Sequence, residues 1–364
     1  MSSDDSDFIV KDHPFVVLDT NNVIVIWNTP KPTSKPTLRP TTKRPTPLPT
    51  IRITRKPSPR PTVITRRPTP QPTNKPPISF KSFIGSQFFR DERSNEASGL
   101  ALAPDKSHLI VVSDNGKIFF LNLLDYNSGH CVWENNDIFN DNTDFEGVAI
   151  VKTEWSQNNK IAYLVHEGAD DDRPYLYKIR YTFNPNLGSC SVQLVDSHSL
   201  RGALPCLTTS DGVESLTWKV GTSNPAVFYV GVEDTGRIYE ITSDGNSNGG
   251  VCFDGGMGQD GISSLVHDGT YLWAVFGEDG KLAVIDPARD GCTLAVFDIP
   301  RQGWDTEGLV IDFENNLMYR AVDEQGGSDP SIVAVYDFAY NIENKECISG
   351  TPLRSCTGFT LCGR

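Results

Sequence analysis

Five stretches of the chain repeat one order of polar and apolar positions. Each opens on a short motif that runs straight into apolar residues. The motifs are Glu96-Ala97-Ser98-Gly99-Leu100, Asp144-Phe145-Glu146-Gly147-Val148, Gly212-Val213-Glu214-Ser215-Leu216, Gly261-Ile262-Ser263-Ser264-Leu265 and Asp305-Thr306-Glu307-Gly308-Leu309. They begin 48, 68, 49 and 44 residues apart. A second apolar run follows each, at 109–113, 162–166, 227–232, 271–276 and 317–322, and a third at 116–121, 175–179, 236–241, 280–285 and 332–336. A fourth, weaker run such as 292–297 follows in most units. The runs are short, rich in β-branched and aromatic residues, and bounded by Gly, Asn and Asp, which is strand chemistry. No part of this region shows a helical period.

Four strands at such a period predict the blade of a β-propeller, and the chain after residue 77 reads as all-β. Five blades fit residues 78–340, with 78–89 supplying a strand that closes the ring onto the last blade. Six blades, one of them degenerate, is the alternative count. The 68-residue unit carries extra chain, which the pattern places between residues 197 and 209.

Composition divides the rest. Residues 28–77 hold 15 Pro and 12 Lys or Arg without one Asp or Glu. Proline fixes φ and removes a backbone donor, so this stretch is expected to be a disordered, extended Pro/Thr-rich basic stalk. It suits a spacer, an O-glycosylated stalk, or an arm for an anionic surface. The domains expected are therefore an acidic segment at 1–27, the linker at 28–77, the propeller at 78–345 and a Cys-containing tail at 346–364. Beyond the stalk the chain holds 41 acids and 20 Lys or Arg, a net charge near -21. Such a body repels phosphate backbones, so nucleic acid is not its expected partner. No apolar run is long enough for a transmembrane helix. The opening Met-Ser-Ser-Asp-Asp-Ser-Asp lacks the basic and apolar regions of a signal peptide.

The innermost strand of each propeller blade lines a central channel, so a residue type repeated at its start forms a ring. The third motif position reads Ser98, Glu146, Glu214, Ser263, Glu307, and the end of the second run reads Asp114, Glu167, Glu233, Gly277, Glu324. Converging carboxylates repel one another unless a countercharge offsets them. A hard cation with oxygen ligands, Ca²⁺ above all, answers that need, with Glu146, Glu167, Glu214, Glu233, Glu307 and Glu324 as candidate ligands. Arg237, Lys281 and Arg320 could serve instead. A purely structural acid ring and a catalytic one stay open beside the metal. Asp114, His166 and Trp304 are candidates for ligand contact at the channel and its rim. The run Asp170-Asp171-Asp172 reads as a solvated loop, and Asp244–Gly249 as a turn.

The E-x-S-G-L opening, the two D-x-E-G motifs and the acids closing Val322-Asp323-Glu324 resemble the SdiA-regulated β-propeller family, which is related to esterase-like and phytase-like propellers. The resemblance spans about residues 90–340. It implies a ring of five or six blades with acids and a calcium-type cation in its channel. It does not imply a defined reaction. A phytase-like activity would need several metals and basic residues to hold phosphate, and the aspartate-rich segment of true propeller phytases is absent. A lactonase-like site of Glu146 or Glu307 with Asp260 and Asn115 is conceivable.

The chain has no G-x-S-x-G, H-E-x-x-H or P-loop motif. Its eight cysteines include no C-x-x-C pair, so they suggest disulfides rather than zinc. Cys131, Cys190, Cys252, Cys292 and Cys347 fall at equivalent fourth-strand positions. Equivalent outer strands on different blades are expected to lie too far apart to join, which leaves Cys206 with Cys190, and the tail cysteines with outer strands, as the expected pairs. The reading is a secreted or surface-held binding module with a channel cation and a small-molecule, glycan or protein ligand at its rim. A calcium-dependent hydrolase of phosphomonoesters or lactones is the alternative, and a cytoplasmic location is the alternative to an extracellular one.

Overall fold

The computed structural model describes residues 15–19, 22–26, 78–84, 97–134, 139, 143–167, 174–204, 212–233, 235–254, 261–276, 280–289, 291–300, 304–324 and 332–340. The stalk, the tail, the 170–172 acidic run and Cys206 lie outside these residues. The chain divides into two compact units, Met1–Gln71 and Pro72–Arg364. In the first, β1 (Phe15–Asp19) and β2 (Asn22–Ile26) pair as an antiparallel hairpin, Phe15 opposite Ile26 and Asp19 opposite Asn22.

The second unit is a five-bladed propeller. A lone strand comes first, β3 (Ile78–Ile84). Blade 1 is β4 (Ala97–Leu102), β5 (His108–Ser113), β6 (Ile118–Asn122) and the short β7 (Cys131–Trp133). Blade 2 is β8 (Phe145–Ala149), β9 (Lys160–His166), β10 (Tyr175–Asn184) and β11 (Ser189–Ser199). Blade 3 is β12 (Val213–Trp218), β13 (Val227–Val232), β14 (Arg237–Thr242) and β15 (Ser247–Asp254). Blade 4 is β16 (Ile262–His267), β17 (Leu272–Phe276), β18 (Lys281–Asp286) and β19 (Cys292–Asp298). Blade 5 is β20 (Trp304–Asp312), β21 (Leu317–Glu324) and β22 (Ile332–Phe338), and its fourth strand is β3. The chain thus closes the ring onto its last blade, as the apolar pattern of 78–89 implies. The inner strands meet in the cycle β4–β8–β12–β16–β20–β4. Among the described residues the one helical turn is Pro287–Arg289.

Runs such as those of β5, β13 and β17 are apolar on both faces because both faces of each blade are covered. Alternate residues of one strand enter different cores. Ile110 and Val112 pack toward blade 2, while Leu109 and Val111 pack toward blade 5. Likewise Tyr163 and Val165 face blade 3, and Ala162 and Leu164 face blade 1. Five apolar clusters result, one between each successive pair of blades, and the cluster joining blades 5 and 1 completes the circle.

Two expectations change. The extra length of the second unit is not a simple insertion at 197–209. Part of it extends the outer hairpin, where β10 has 10 residues and β11 has 11. That long hairpin carries Cys190 to the neighbouring blade, and Cys190 bonds Cys131, with 6.0 Å between their Cα atoms. Equivalent outer-strand cysteines therefore do join, and Cys190 is not the partner of Cys206. Outer strands diverge in an ideal ring, but β11 outgrows its blade and meets β7. Cys292 is also disulfide-bonded, to a cysteine outside the described side chains.

Candidate functional site: an acidic channel mouth

Each inner strand breaks register with its neighbour at one place. The breaks fall between Ala97 and Gly99, Phe145 and Gly147, Val213 and Ser215, Ile262 and Ser264, and Thr306 and Gly308. The unpaired residue is the third motif position in all five blades: Ser98, Glu146, Glu214, Ser263 and Glu307. A β-bulge takes a residue out of the ladder and re-aims its side chain. Three of the five so treated are glutamates.

The next position keeps the strands close. A Cβ added at Gly147 would lie 2.5 Å from Leu216 N, and one at Gly308 would lie 3.0 Å from the Ser98 carbonyl oxygen. In blade 4 the same position is Ser264, whose Oγ accepts the Leu309 N–H at 2.8 Å. Equivalent levels therefore meet around the ring, and all five inner strands begin at the same end of the channel.

Three carboxylates converge there in blade 2. Asp144, Glu146 and Glu167 each offer an oxygen, all within 4.8 Å of one another. Asp144 precedes β8, Glu146 is its bulge, and Glu167 follows β9, where its N–H donates to the Asp144 carbonyl at 3.0 Å. One Asp144 oxygen is buried without a hydrogen-bond partner. The Glu214 side chain of blade 3 joins the group. A Cβ on Gly212 would sit 2.5 Å from Glu167 Oε1 and 2.6 Å from Glu214 Oε1, so glycine there leaves room for both.

The electrostatics follow. Burial within the ring pushes the Glu146 carboxyl well above the usual range, and Glu214, Asp144 and Glu167 add to the shift by repulsion and hydrogen bonding. Burial also raises Glu214 well above its ordinary value, with repulsion from Glu233, Glu167, Glu307 and Asp144. Glu307 in blade 5 thus lies near enough to act on Glu214 in blade 3. The charges acting most strongly on the two glutamates are all carboxylates. Of the basic residues considered as countercharges, Lys281 pairs with Asp298, and Arg320 donates to the Pro300 carbonyl and Tyr336 hydroxyl.

The remaining candidates divide. Glu233 follows β13 at the level of Glu167, its N–H donating to the Gly212 carbonyl. In blade 5 the register pairs Thr306 with Val322, Asp305 with Asp323 and Trp304 with Glu324. Asp323, one residue before Glu324, thus holds the level equivalent to Glu167 and Glu233. The side chains of Trp304, Asp323 and Glu324 lie outside the described residues. Asp114 directly follows β5 at this mouth. His166 is 7 % exposed, and its Nδ1 is buried without a hydrogen-bond partner. It alternates with Glu167 and shares the face of Leu164, toward blade 1, so it does not join the three carboxylates. Asp144 is the ligand-type residue that sequence reasoning left unassigned. Its signal was the first position of the D-x-E-G motif.

No protein-family model matches the chain, and neither does any curated protein. Among solved structures, the glutaminyl cyclase of Myxococcus xanthus is 12 % identical with a TM-score of 0.46, covering 73 % of this chain and 100 % of its own. A PQQ-bound aldose sugar dehydrogenase from Streptomyces coelicolor is 11 % identical with a TM-score of 0.45, also covering 73 % of this chain and 100 % of its own. These are distant likenesses, and the fold assignment stands on the sheet topology of the chain itself.

Proposed function

We propose that the propeller is a binding module whose acidic channel mouth holds a divalent cation, calcium by its chemistry, as the resemblance to SdiA-regulated propellers implies. The observation that carries this reading is the convergence of Asp144, Glu146 and Glu167 within 4.8 Å, with carboxylates as the leading charges around them. The donors are all oxygens, which suits a hard cation, and the bare Asp144 oxygen lacks any protein partner. The cation would be structural, joining β8 to β9 and screening Glu214 of the neighbouring blade. The ligand of the module is a small molecule, glycan or protein meeting the rim. The bonded Cys131–Cys190 pair supports an oxidising, extracellular or surface location.

A hydrolase of phosphomonoesters or lactones is less well supported. Phosphate chemistry at such a centre calls for basic residues beside the metal, and the charges acting most strongly on Glu146 and Glu214 are acids. The test is a calorimetric titration of Ca²⁺ into the EDTA-stripped full chain, with Glu167→Gln as the control. A phosphomonoester and lactone turnover screen is run on the same sample. The expected result is calcium binding that the variant loses, without turnover. Absence of binding would overturn the cation, and calcium-dependent turnover would overturn the non-catalytic reading.

A further inference from the structure

Cys292 is disulfide-bonded to a cysteine whose side chain lies outside the described residues. Its surroundings narrow the choice. It opens β19 opposite Asp286, the last residue of β18, at the end of blade 4 away from the acids. Its side chain belongs to the apolar cluster between blades 4 and 5, with Trp273, Leu294 and Phe338. Cys292 therefore looks toward blade 5.

Two other cysteines are tied to a different junction. Cys252 stands in register with Tyr239, and Tyr239 packs in the cluster between blades 2 and 3. Leu204, two residues before Cys206, packs in that same cluster. A disulfide spans only about 7 Å between Cα atoms, and blade 3 stands between these positions and Cys292.

The C-terminal tail begins in the right place. β22 carries the chain away from the acid mouth to the far end, where Phe338 pairs with Ile78. Tyr340 then packs edge-on against Trp273, ring centroids 4.2 Å apart, and stacks on Phe338 at 5.9 Å. Phe313, one wall of a largely apolar cavity of about 310 Å³ that all five blades line at this end, meets the same Trp273 and Phe338 rings. The chain thus leaves blade 5 against the cluster that holds Cys292. Cys347 follows seven residues later, a reach of up to about 24 Å. Cys356 and Cys362 would close longer loops at greater entropic cost. Phe83, Tyr271 and Phe297 stay only partly covered on this cluster, an apolar surface suited to Ile342 and Ile348 of the tail.

We propose that Cys292 bonds Cys347 and that the bonded tail lies as a strap over the seam between blades 4 and 5. The two thiols give up two protons and two electrons to the disulfide of an oxidoreductase, which becomes a dithiol. The loop so closed contains β20, β21 and β22 whole. Three strands of the last blade are then fastened to blade 4 independently of their hydrogen-bonded closure by β3.

The test is peptide mapping of the unreduced full chain, its free thiols alkylated before digestion. Trypsin cuts after Arg289, Arg301, Lys345 and Arg354, which separates residues 290–301, 346–354 and 355–364. Peptides 290–301 and 346–354 should run joined and part on reduction. Linkage of 290–301 to a peptide holding Cys206, Cys252, Cys356 or Cys362, or its recovery as an alkylated free thiol, would overturn the proposal. Melting of the full chain is the second measurement. Cys292→Ser and Cys347→Ser should lower the melting temperature equally, and the double variant no further. Additive losses would overturn the strap.

Discussion

Replacing Glu146 with Gln should make the metal-free protein more stable and deaf to calcium. Glu146 lies within 4.8 Å of both Asp144 and Glu167, measured between ligand oxygens. At that separation and an effective dielectric of 20, two full charges repel by about 3 kcal/mol. Two such pairs act on Glu146, and partial exposure screens each. A net relief of about 3 kcal/mol is therefore expected at pH 8. In a domain of this size that is a rise of roughly 6 to 9 °C in melting temperature. Wild type, by contrast, should gain about 2.7 kcal/mol from calcium at a hundredfold excess over its Kd, and the variant less than a third of that. The assay is calorimetric melting of both proteins in EDTA and in calcium, at pH 8 and pH 5.5. The raised pKa of Glu146 fixes the sign of the pH effect. Protonation already relieves the wild type at low pH, so the gap between the proteins should narrow there. A variant that melts below wild type in EDTA at pH 8, or a gap that widens on acidification, would refute the reasoning.

Wild type without metal should itself gain stability as pH falls from 8 to 5.5. The folded pKa values of Glu146 and Glu214 lie above their unfolded values, so the folded chain binds more protons in that window and loses stability as pH rises through it. Melting scans across pH check this, and a flat profile would mean the acids are already neutralised. The Cys131–Cys190 bond closes a separation of 59 residues, for which chain entropy gives about 4 kcal/mol. The double Ser variant should lose most of that in urea unfolding, and a loss under about 1 kcal/mol would show that the hairpin and β7 hold together without it. Gly147→Ala should destabilise by about 3 kcal/mol or more, because its Cβ would meet the Leu216 N and Ser215 backbone. Gly202→Ala, with nothing within 4 Å of the added atom, should change stability by less than about 0.5 kcal/mol.

What could be read from the chain is what every blade must repeat. An inner strand has to bulge at the channel mouth and then approach its neighbours closely. Those two demands leave a polar residue followed by Gly or Ser in all five units, from Ser98-Gly99 to Glu307-Gly308. The apolar second strands were legible for a related reason: with a blade on each side, both faces of a run such as 109–112 are apolar. What escaped the sequence depends on how far unequal parts reach. The Cys131–Cys190 pairing follows from the overlong β10–β11 hairpin, and nothing in the spacing of equivalent cysteines reports that length. The offset between Glu324 and Asp323 is a consequence of register, which a bulge shifts by one residue. The apolar cavity was hidden because Leu102, Ile150 and Phe313 have the same composition as core. Only the ring, by bringing five strand ends to one place, turns residues that read as packing into the wall of a cavity. The same closure gives the acids their chemistry. Glu146 on its own strand is an ordinary surface carboxylate, and it becomes a candidate cation ligand only where Asp144, Glu167 and Glu214 are held against it.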